Sequence, residues 1–288
     1  MKRYPKISVI TPTFNQGHFI ETTILSVIHQ QYPNLEFIIF DGGSTDNTVE
    51  VIKKYEKSIH YWVSQKDDGQ ADAINQGFKK ATGDIICWLN SDDSFLPGTL
   101  QLVANSMDIN KEQIFAGNCI HIKHNSSFCY GSNVKELSEN HSIYDFDFLI
   151  QPSTFFTKKA WDKTGEINSK LTFCFDWDWF IRAQKNAVDF IYTEKYLSIY
   201  LLHDAHKSGS GDNRRFEEIK EIYRKNELTK QLKAAILLHQ KKENIHKILR
   251  FSEKFGLQKF QHIFVKIRFP SLFQYRWQFL HPILNSLN

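Results

Sequence analysis

Glycine and proline are scarce in this chain, 13 and 7 among 288 residues, too few for a fibrous repeat or a low-complexity protein. Charged residues make up only 24% while 41% are hydrophobic, which excludes disorder as the main state. No apolar run approaches the roughly eighteen residues that a membrane span requires. The four cysteines, Cys87, Cys119, Cys129 and Cys174, stand far apart without a CxxC pair, so reduced, mostly buried thiols are expected rather than a zinc site or a disulfide framework. There is no internal repeat. The opening MKRYPKISVITPTFN runs straight into a strand-like pattern without a cleavable leader, and a cytoplasmic chain is expected. What the sequence has in quantity is aromatic surface, 24 Phe, 11 Tyr and 6 Trp, enough to bury a sizeable core.

The net charge of +4 conceals an asymmetry. From Lys230 onward eleven Lys or Arg face only Glu243 and Glu253, a net +9, and the preceding residues carry −5. Such a split predicts two units with partners of different charge: a catalytic domain over 1–213 and a helical, basic and aromatic appendage over 214–288.

The first hundred residues alternate short apolar runs with helical spacing, the pattern of a parallel sheet with crossover helices. Strands are expected at 7–10, 36–40, 59–63 and 84–89, and helices at 18–29, 48–56 and 71–81. Farther on the pattern is less regular, with strands expected at 113–116 and 119–122 and a helix at 177–185. Right-handed crossovers then give an open, twisted α/β sheet that binds ligands at the carboxyl ends of its strands. Those ends are rich in polar groups: Thr11-Pro12-Thr13-Phe14-Asn15, Asp41-Gly42-Gly43-Ser44-Thr45-Asp46, Gln65-Lys66-Asp67-Asp68-Gly69 and Asn90-Ser91-Asp92-Asp93.

Asp92 and Asp93 are hard oxygen ligands at a strand end, suited to Mg²⁺ or Mn²⁺ bridging to phosphate oxygens. Alone, this motif would read as a helix cap, but its neighbours tip the balance toward a ligand site. Gly42 and Gly43 permit close backbone approach, and Asp41, which a capping role would not use, is expected to contact a ligand. Phe175-Asp176-Trp177-Asp178-Trp179 sets two carboxylates among aromatics, where burial would raise one toward the range of a general base. One of the pair is expected to cap the helix there. His203 and His206 follow an apolar run, and only a neighbouring metal would promote either from a structural role.

These motifs, in this order, are similar to those of the family 2 glycosyltransferases, as are Asp68-Gly69-Gln70-Ala71-Asp72-Ala73-Ile74-Asn75, Gln151-Pro152-Ser153-Thr154, Gly165 and Asp176 with Arg182. The resemblance covers about residues 5–210. It implies the GT-A fold, a Rossmann-like, mostly parallel twisted sheet flanked by helices. It also implies a nucleotide-sugar donor, a UDP-sugar foremost, a divalent metal, Mn²⁺ or Mg²⁺, and transfer with inversion to a hydroxyl of a glycan or lipid-linked acceptor in surface polysaccharide synthesis. By that resemblance Thr11, Pro12 and Asp41 line the nucleoside pocket, and Asp72 and Asn75 lie near the donor. Asn90, Asp92 and Asp93 occupy an Asp-x-Asp position, with Asp92 on the metal. Asn90 departs from the commoner Asp, and Gly42 stands where an Asp-Asp-Gly-Ser motif has its second Asp. Asp176 is the expected catalytic base, matching the second residue of a Glu-Asp signature whose first is Phe175. His203 aligns with a histidine that completes the metal shell, with His206 close enough to compete.

The basic tail carries two readings. Its interleaved aromatics suit an interfacial segment on an anionic leaflet, which would place the protein on the inner face of the cytoplasmic membrane, or a helical appendage packed on the catalytic domain. Nucleic acid is a poorer partner, because no recognition module accompanies the charge. A nucleotidyltransferase would need a basic phosphate loop after the first strand, yet Thr11 to Gly17 holds no Lys or Arg. A silent nucleotide-sugar-binding scaffold would need no set of four carboxylates, Asp41, Asp92, Asp93 and Asp176.

Overall fold

A computed structural model of the chain describes residues 4–203 and 213–287, which form two compact units. One gathers the described residues of 1–140 and 148–209, the other those of 141–147 and 210–288.

The first unit is built on one sheet of nine strands among the described residues. Strands β1 (Ile7–Thr13), β2 (Leu35–Asp41), β3 (Tyr61–Ser64) and β4 (Ile85–Trp88) run parallel in the order β3-β2-β1-β4. They are joined by helices α1 (Ile20–Ile28), α2 (Thr48–Lys54) and α3 (Gln70–Lys80). After β5 (Ser94–Phe95) and α4 (Thr99–Ser106) come β6 (Gln113–Lys123), β7 (Cys129–Gly131) and α5 (Val134–Asn140), then β8 (Thr154–Thr157), α6 (Lys158–Thr164), α7 (Phe175–Lys185) and β9 (Asp189–Leu202). β8 lies antiparallel between β4 and β6, β9 runs parallel to β6, and β7 hangs antiparallel on β6.

The inner strands read as near-continuous apolar runs because both their faces are buried. Ile7, Val9, Phe37, Ile39, Ile85 and Cys87 pack under Ile20, Ile24 and Val27 of α1. On the opposite face α3 approaches so closely that a Cβ on Gly77 would stand 2.4 Å from a methyl of Ile10. An aromatic block of Phe78, Trp88, Phe156, Trp161 and Trp179 continues this layer. Full burial of such side chains contributes about 1.5–3 kcal/mol each.

The expected first strand, 7–10, runs three residues farther. Pairing with β4 ends at Ile10↔Trp88, but pairing with β2 continues through Pro12↔Phe40 to Thr13↔Asp41. Pro12 is tolerated because one side of β1 is open there and its missing N–H is not required. The two strands expected at 113–116 and 119–122 are one, with register shifts against β9 around Asn118. At the amino ends of the strands, Glu36 is buried and accepts hydrogen bonds from Lys6 Nζ (2.6 Å), Ser8 Oγ (2.5 Å) and the backbone and hydroxyl of Thr82 (2.7 Å each). Burial alone would raise its pKa, but these donors prevail and hold it at about 2. That carboxylate stitches the sheet edge together and lies away from the ligand end.

The second unit is helical, with α8 (Asn213–Lys225), α9 (Thr229–Lys254), α10 (Gln261–Arg268) and α11 (Trp277–Ser286). Tyr223 Oη donates to the Asp145 carbonyl at 2.6 Å and Gln231 Nε2 to the Asp145 carboxylate at 2.9 Å, which ties 141–147 into this unit. Among the described residues no helix is long and apolar enough to cross a membrane.

Candidate active site

The carboxyl ends of β1 and β4 and the loops after β2 and β3 open onto a cavity of about 580 Å³ in the first unit. Pro12, Thr13, Phe14 and Gln16 line it from β1, Gly42, Lys66 and Asp67 from the next two loops, and Asn90, Ser91, Asp92 and Asp93 from the end of β4. Gln70 and Ala73 of α3, Gln151, Phe175 and Asp176 of α7, and Tyr200 of β9 close it.

Asp92 is held by His203, whose Nε2 lies 3.1 Å from Oδ2, and His203 is stacked on Phe19 with ring centroids 4.4 Å apart. The pair is thereby fixed before any ligand arrives. Asp93 lies deeper, 2% exposed. Burial, then the neighbouring Asp92 charge, raise its pKa well above the usual carboxylate range. It contacts Leu201 N at 3.4 Å and Asn90 Nδ2 at 3.3 Å. Asn90 is held on its other side by Gln70 Nε2 (2.8 Å) and Gln151 Oε1 (3.1 Å). The motif does not cap α4, whose N-cap is Gly98.

The two carboxylates of α7 divide their roles. Asp178 is buried and paired with Arg182 at 2.9 Å, and Arg182 also donates to the Thr164 and Glu166 carbonyls. Asp178 is committed to holding the loop before α7. Asp176 is half-buried, accepts the Trp177 N–H at 2.8 Å and faces the cavity. Trp177 and Trp179 are 3% and 0% exposed and belong to the core.

The remaining sequence candidates fall outside the cavity lining. Thr11 is buried in β1 with its hydroxyl unpartnered. Asp41 is buried and closes its own turn, accepting from Ser44 N (3.0 Å), Ser44 Oγ (2.5 Å) and Ser64 Oγ (2.5 Å). Asp46 precedes α2, whose N-cap is Asn47, and accepts from Thr48 N and from Gly17 N. Asp72 accepts from Gln76 (2.6 Å), and Asn75 exchanges hydrogen bonds with the backbone of Ile167 (2.9 and 3.0 Å). His206 lies outside the described residues.

Sequence reasoning missed Gln16, Gln70, Trp88 and Tyr200 as lining groups. Three of the cavity's buried polar atoms, Thr13 Oγ1, Gln16 Oε1 and Trp88 Nε1, have no partner. Native interiors rarely leave such groups unsatisfied, so the cavity is prepared for a polar ligand. Its charge is also telling. Asp67, Asp92, Asp93 and Asp176 line it, while Lys66 is the one Lys or Arg among the described lining residues. No group of three His, Cys, Asp or Glu among the described residues could hold a metal by itself. Asp92 with His203 nonetheless fits an ion such as Mg²⁺ or Mn²⁺, which takes one or two protein ligands and completes its shell from substrate phosphates and water.

The model of Glycosyl transferase family 2 matches residues 8–166. The GalNAc(5)-diNAcBac-PP-undecaprenol beta-1,3-glucosyltransferase of Campylobacter jejuni is 31% identical over 150 residues, 51% of this chain and 48% of that protein. The chain spans about half the length of the curated relatives it matches. Among solved structures, Staphylococcus aureus TarS in complex with UDP-GlcNAc matches with a TM-score of 0.61 and 20% identity, over 75% of this chain and 65% of the other. The mannosyltransferase PcManGT of Pyrobaculum calidifontis, in complex with GDP-Man and Mn²⁺, matches with a TM-score of 0.59 and 16% identity, over 78% and 65%. At these identities the likeness to solved structures is one of fold, the GT-A fold.

Proposed function

Because the chain belongs to glycosyl transferase family 2, we propose that it is an inverting glycosyltransferase. It would move a sugar from a nucleotide-sugar, a UDP-sugar foremost, to a hydroxyl of a glycan or lipid-linked acceptor in surface polysaccharide synthesis. The observation that carries this reading is that Asn90–Asp93 at the end of β4 and Asp176 at the start of α7 line one cavity of about 580 Å³. The UDP-GlcNAc complex of TarS supports the donor class, and the lipid-linked substrate in the name of the Campylobacter relative supports the acceptor.

In this mechanism the Asp176 carboxylate accepts the proton of the acceptor hydroxyl as its oxygen bonds to the anomeric carbon. The bond from that carbon to the diphosphate breaks on the opposite face, which inverts the configuration. Asp92 and His203 would hold a divalent cation, whose charge stabilises the departing diphosphate when bound. Asp93 and Asn90 position the loop, and Thr11, Pro12, Asp41, Asp72 and Asn75 shape the donor end. The reading is tested by melting the protein with UDP-, GDP- and dTDP-sugars, with and without Mn²⁺. A ligand present at about a hundred times its Kd stabilises by about 2.7 kcal/mol, so a metal-dependent rise with one nucleotide family is expected. A folded sample that answers to none of them would point to the scaffold alternative.

Contact with an anionic membrane surface, on the cytoplasmic face, is the second part of the proposal. Phe269 and Tyr275 are buried, but Phe251, Phe255, Phe260 and Phe273 are 50–59% exposed, with Ile267 at 66%. Lys254, Lys259, Lys266 and Arg268 stand among them, and Glu253 is the one acid after residue 243. Apolar side chains ringed by cations match the interface of an anionic leaflet. Co-sedimentation with vesicles containing phosphatidylglycerol, and not with phosphatidylcholine alone, is expected. Phe255→Ser with Ile267→Ser should weaken it by roughly tenfold or more. No recovery on phosphatidylglycerol vesicles would remove this part.

A further inference from the structure

Three rings stand in register across the outer strands of the sheet. Tyr130 of β7 lies opposite His121 of β6, and His121 lies opposite Tyr200 of β9. Side chains directly opposite on neighbouring strands share a face and touch, so the rings form a ladder. Tyr130 and His121 stack with centroids 4.4 Å apart and planes 1° apart, and His121 meets Tyr200 at 5.4 Å. Phe128 extends the outer end, 5.6 Å from Tyr130.

The inner end of this ladder, Tyr200, lines the same cavity as Asp92 and Asp176. Its outer end is open, with Phe128 55% and Tyr130 46% exposed. His121 is buried, and burial lowers its pKa, so at neutral pH it presents a neutral ring rather than a cation. Two large rings left in water on a three-residue edge strand contribute little to folding, and contiguous exposed apolar surface beside a cavity marks a binding site. The chemistry selects the occupant. A pyranose has a flat C–H face that stacks on an aromatic ring and a hydroxyl rim that stays in water. Tyr130 covers one face of the buried His121, so the ring surface open to a sugar is that of Phe128 and Tyr130 at the outer end. The cation-holding pair and Lys66 are not part of the ladder, so a charged diphosphate gains nothing from it.

We propose that Phe128 and Tyr130, the exposed outer end of the ladder, are the acceptor platform, stacking a pyranose ring of a glycan acceptor on their open faces while the buried His121 holds Tyr130 in line with Tyr200 and the cavity, so that the acceptor's terminal hydroxyl is guided toward Asp176. The proposal rests on the transferase reading for its direction of travel, but the binding it asserts is measurable without donor. The test is saturation-transfer NMR of the nucleotide-free protein with the methyl β-glycosides of glucose, galactose, N-acetylglucosamine and N-acetylgalactosamine. At least one should receive saturation on its C–H face. Tyr130→Ala should weaken binding roughly five- to tenfold, and Tyr130→Trp should retain it. Phe128→Ala gives a second, more exposed variant, and the melting temperature of each certifies its fold. The proposal is overturned if none of the four glycosides is saturated, or if both alanine variants bind as the parent does. A missing melting shift with nucleotide-sugars would sink the transferase reading and leave the glycoside result standing, so the two failures are distinct.

Discussion

Asp176→Asn is expected to lower sugar transfer by about 10²–10⁴-fold, the usual contribution of a positioned general base, while nucleotide-sugar binding stays close to that of the parent. Asparagine has the size of aspartate and its amide oxygen can keep the Trp177 N–H bond of 2.8 Å, so the first turn of α7 is preserved. What disappears is the carboxylate that can take a proton. Product formation under saturating donor, read beside the melting shift with that donor, separates the two effects. Asp178→Asn serves as contrast. Asp178 holds Arg182, which in turn holds the Thr164 and Glu166 carbonyls. Its loss should lower the melting temperature, because breaking a buried pair leaves an uncompensated charge. Near-normal turnover by Asp176→Asn would move the base elsewhere, to Asp67 as the remaining carboxylate of the lining outside the Asn90–Asp93 loop.

The parallel half of the sheet was legible because its strands are buried on both faces and write themselves as apolar runs, separated by helices of regular spacing. The ligand end followed from that topology, and Asn90–Asp93 and Asp176 stood out as polar groups at element ends. The rest depended on long-range pairing. β9 was missed: its apolar residues are interrupted by Thr193, Glu194 and Lys195, and its place beside β6 is fixed by pairing some seventy residues away in sequence, from Gln113↔Asp189 onward. With it went Tyr200, and the aromatic ladder is a property of register that no local pattern contains. Asp41 shows the other side of the same dependence on tertiary partners. A strand-end aspartate looks free for a ligand, yet Ser44 and Ser64 fold back to occupy its carboxylate. Asn75 likewise has its side chain committed to Ile167, a partner ninety-two residues away.

Asp92→Asn should abolish the Mn²⁺-dependent part of the stabilisation by UDP-sugar and reduce transfer by about a hundredfold or more, the scale seen when charge stabilisation of a leaving group is removed. Asp67, Asp92 and Asp176 face a single Lys66 among the described lining residues, and Asp93 beside them is held above the usual carboxylate range, so a cation on Asp92 would offset the charge that a diphosphate meets. Of the four, Asp92 alone has an imidazole at 3.1 Å, and its side chain is 21% exposed where Asp93 is sealed off. A hard cation wants a charged oxygen that it can reach, and the amide in the variant supplies an oxygen without the charge. His203→Ala should weaken the same metal-dependent increment by less, since a neutral nitrogen is lost and the carboxylate remains. The melting shift read against Mn²⁺ concentration checks both without any need for turnover. An Asp92→Asn protein that kept the whole Mn²⁺ increment would show that the cation is held elsewhere and that Asp92 merely anchors His203 over Phe19.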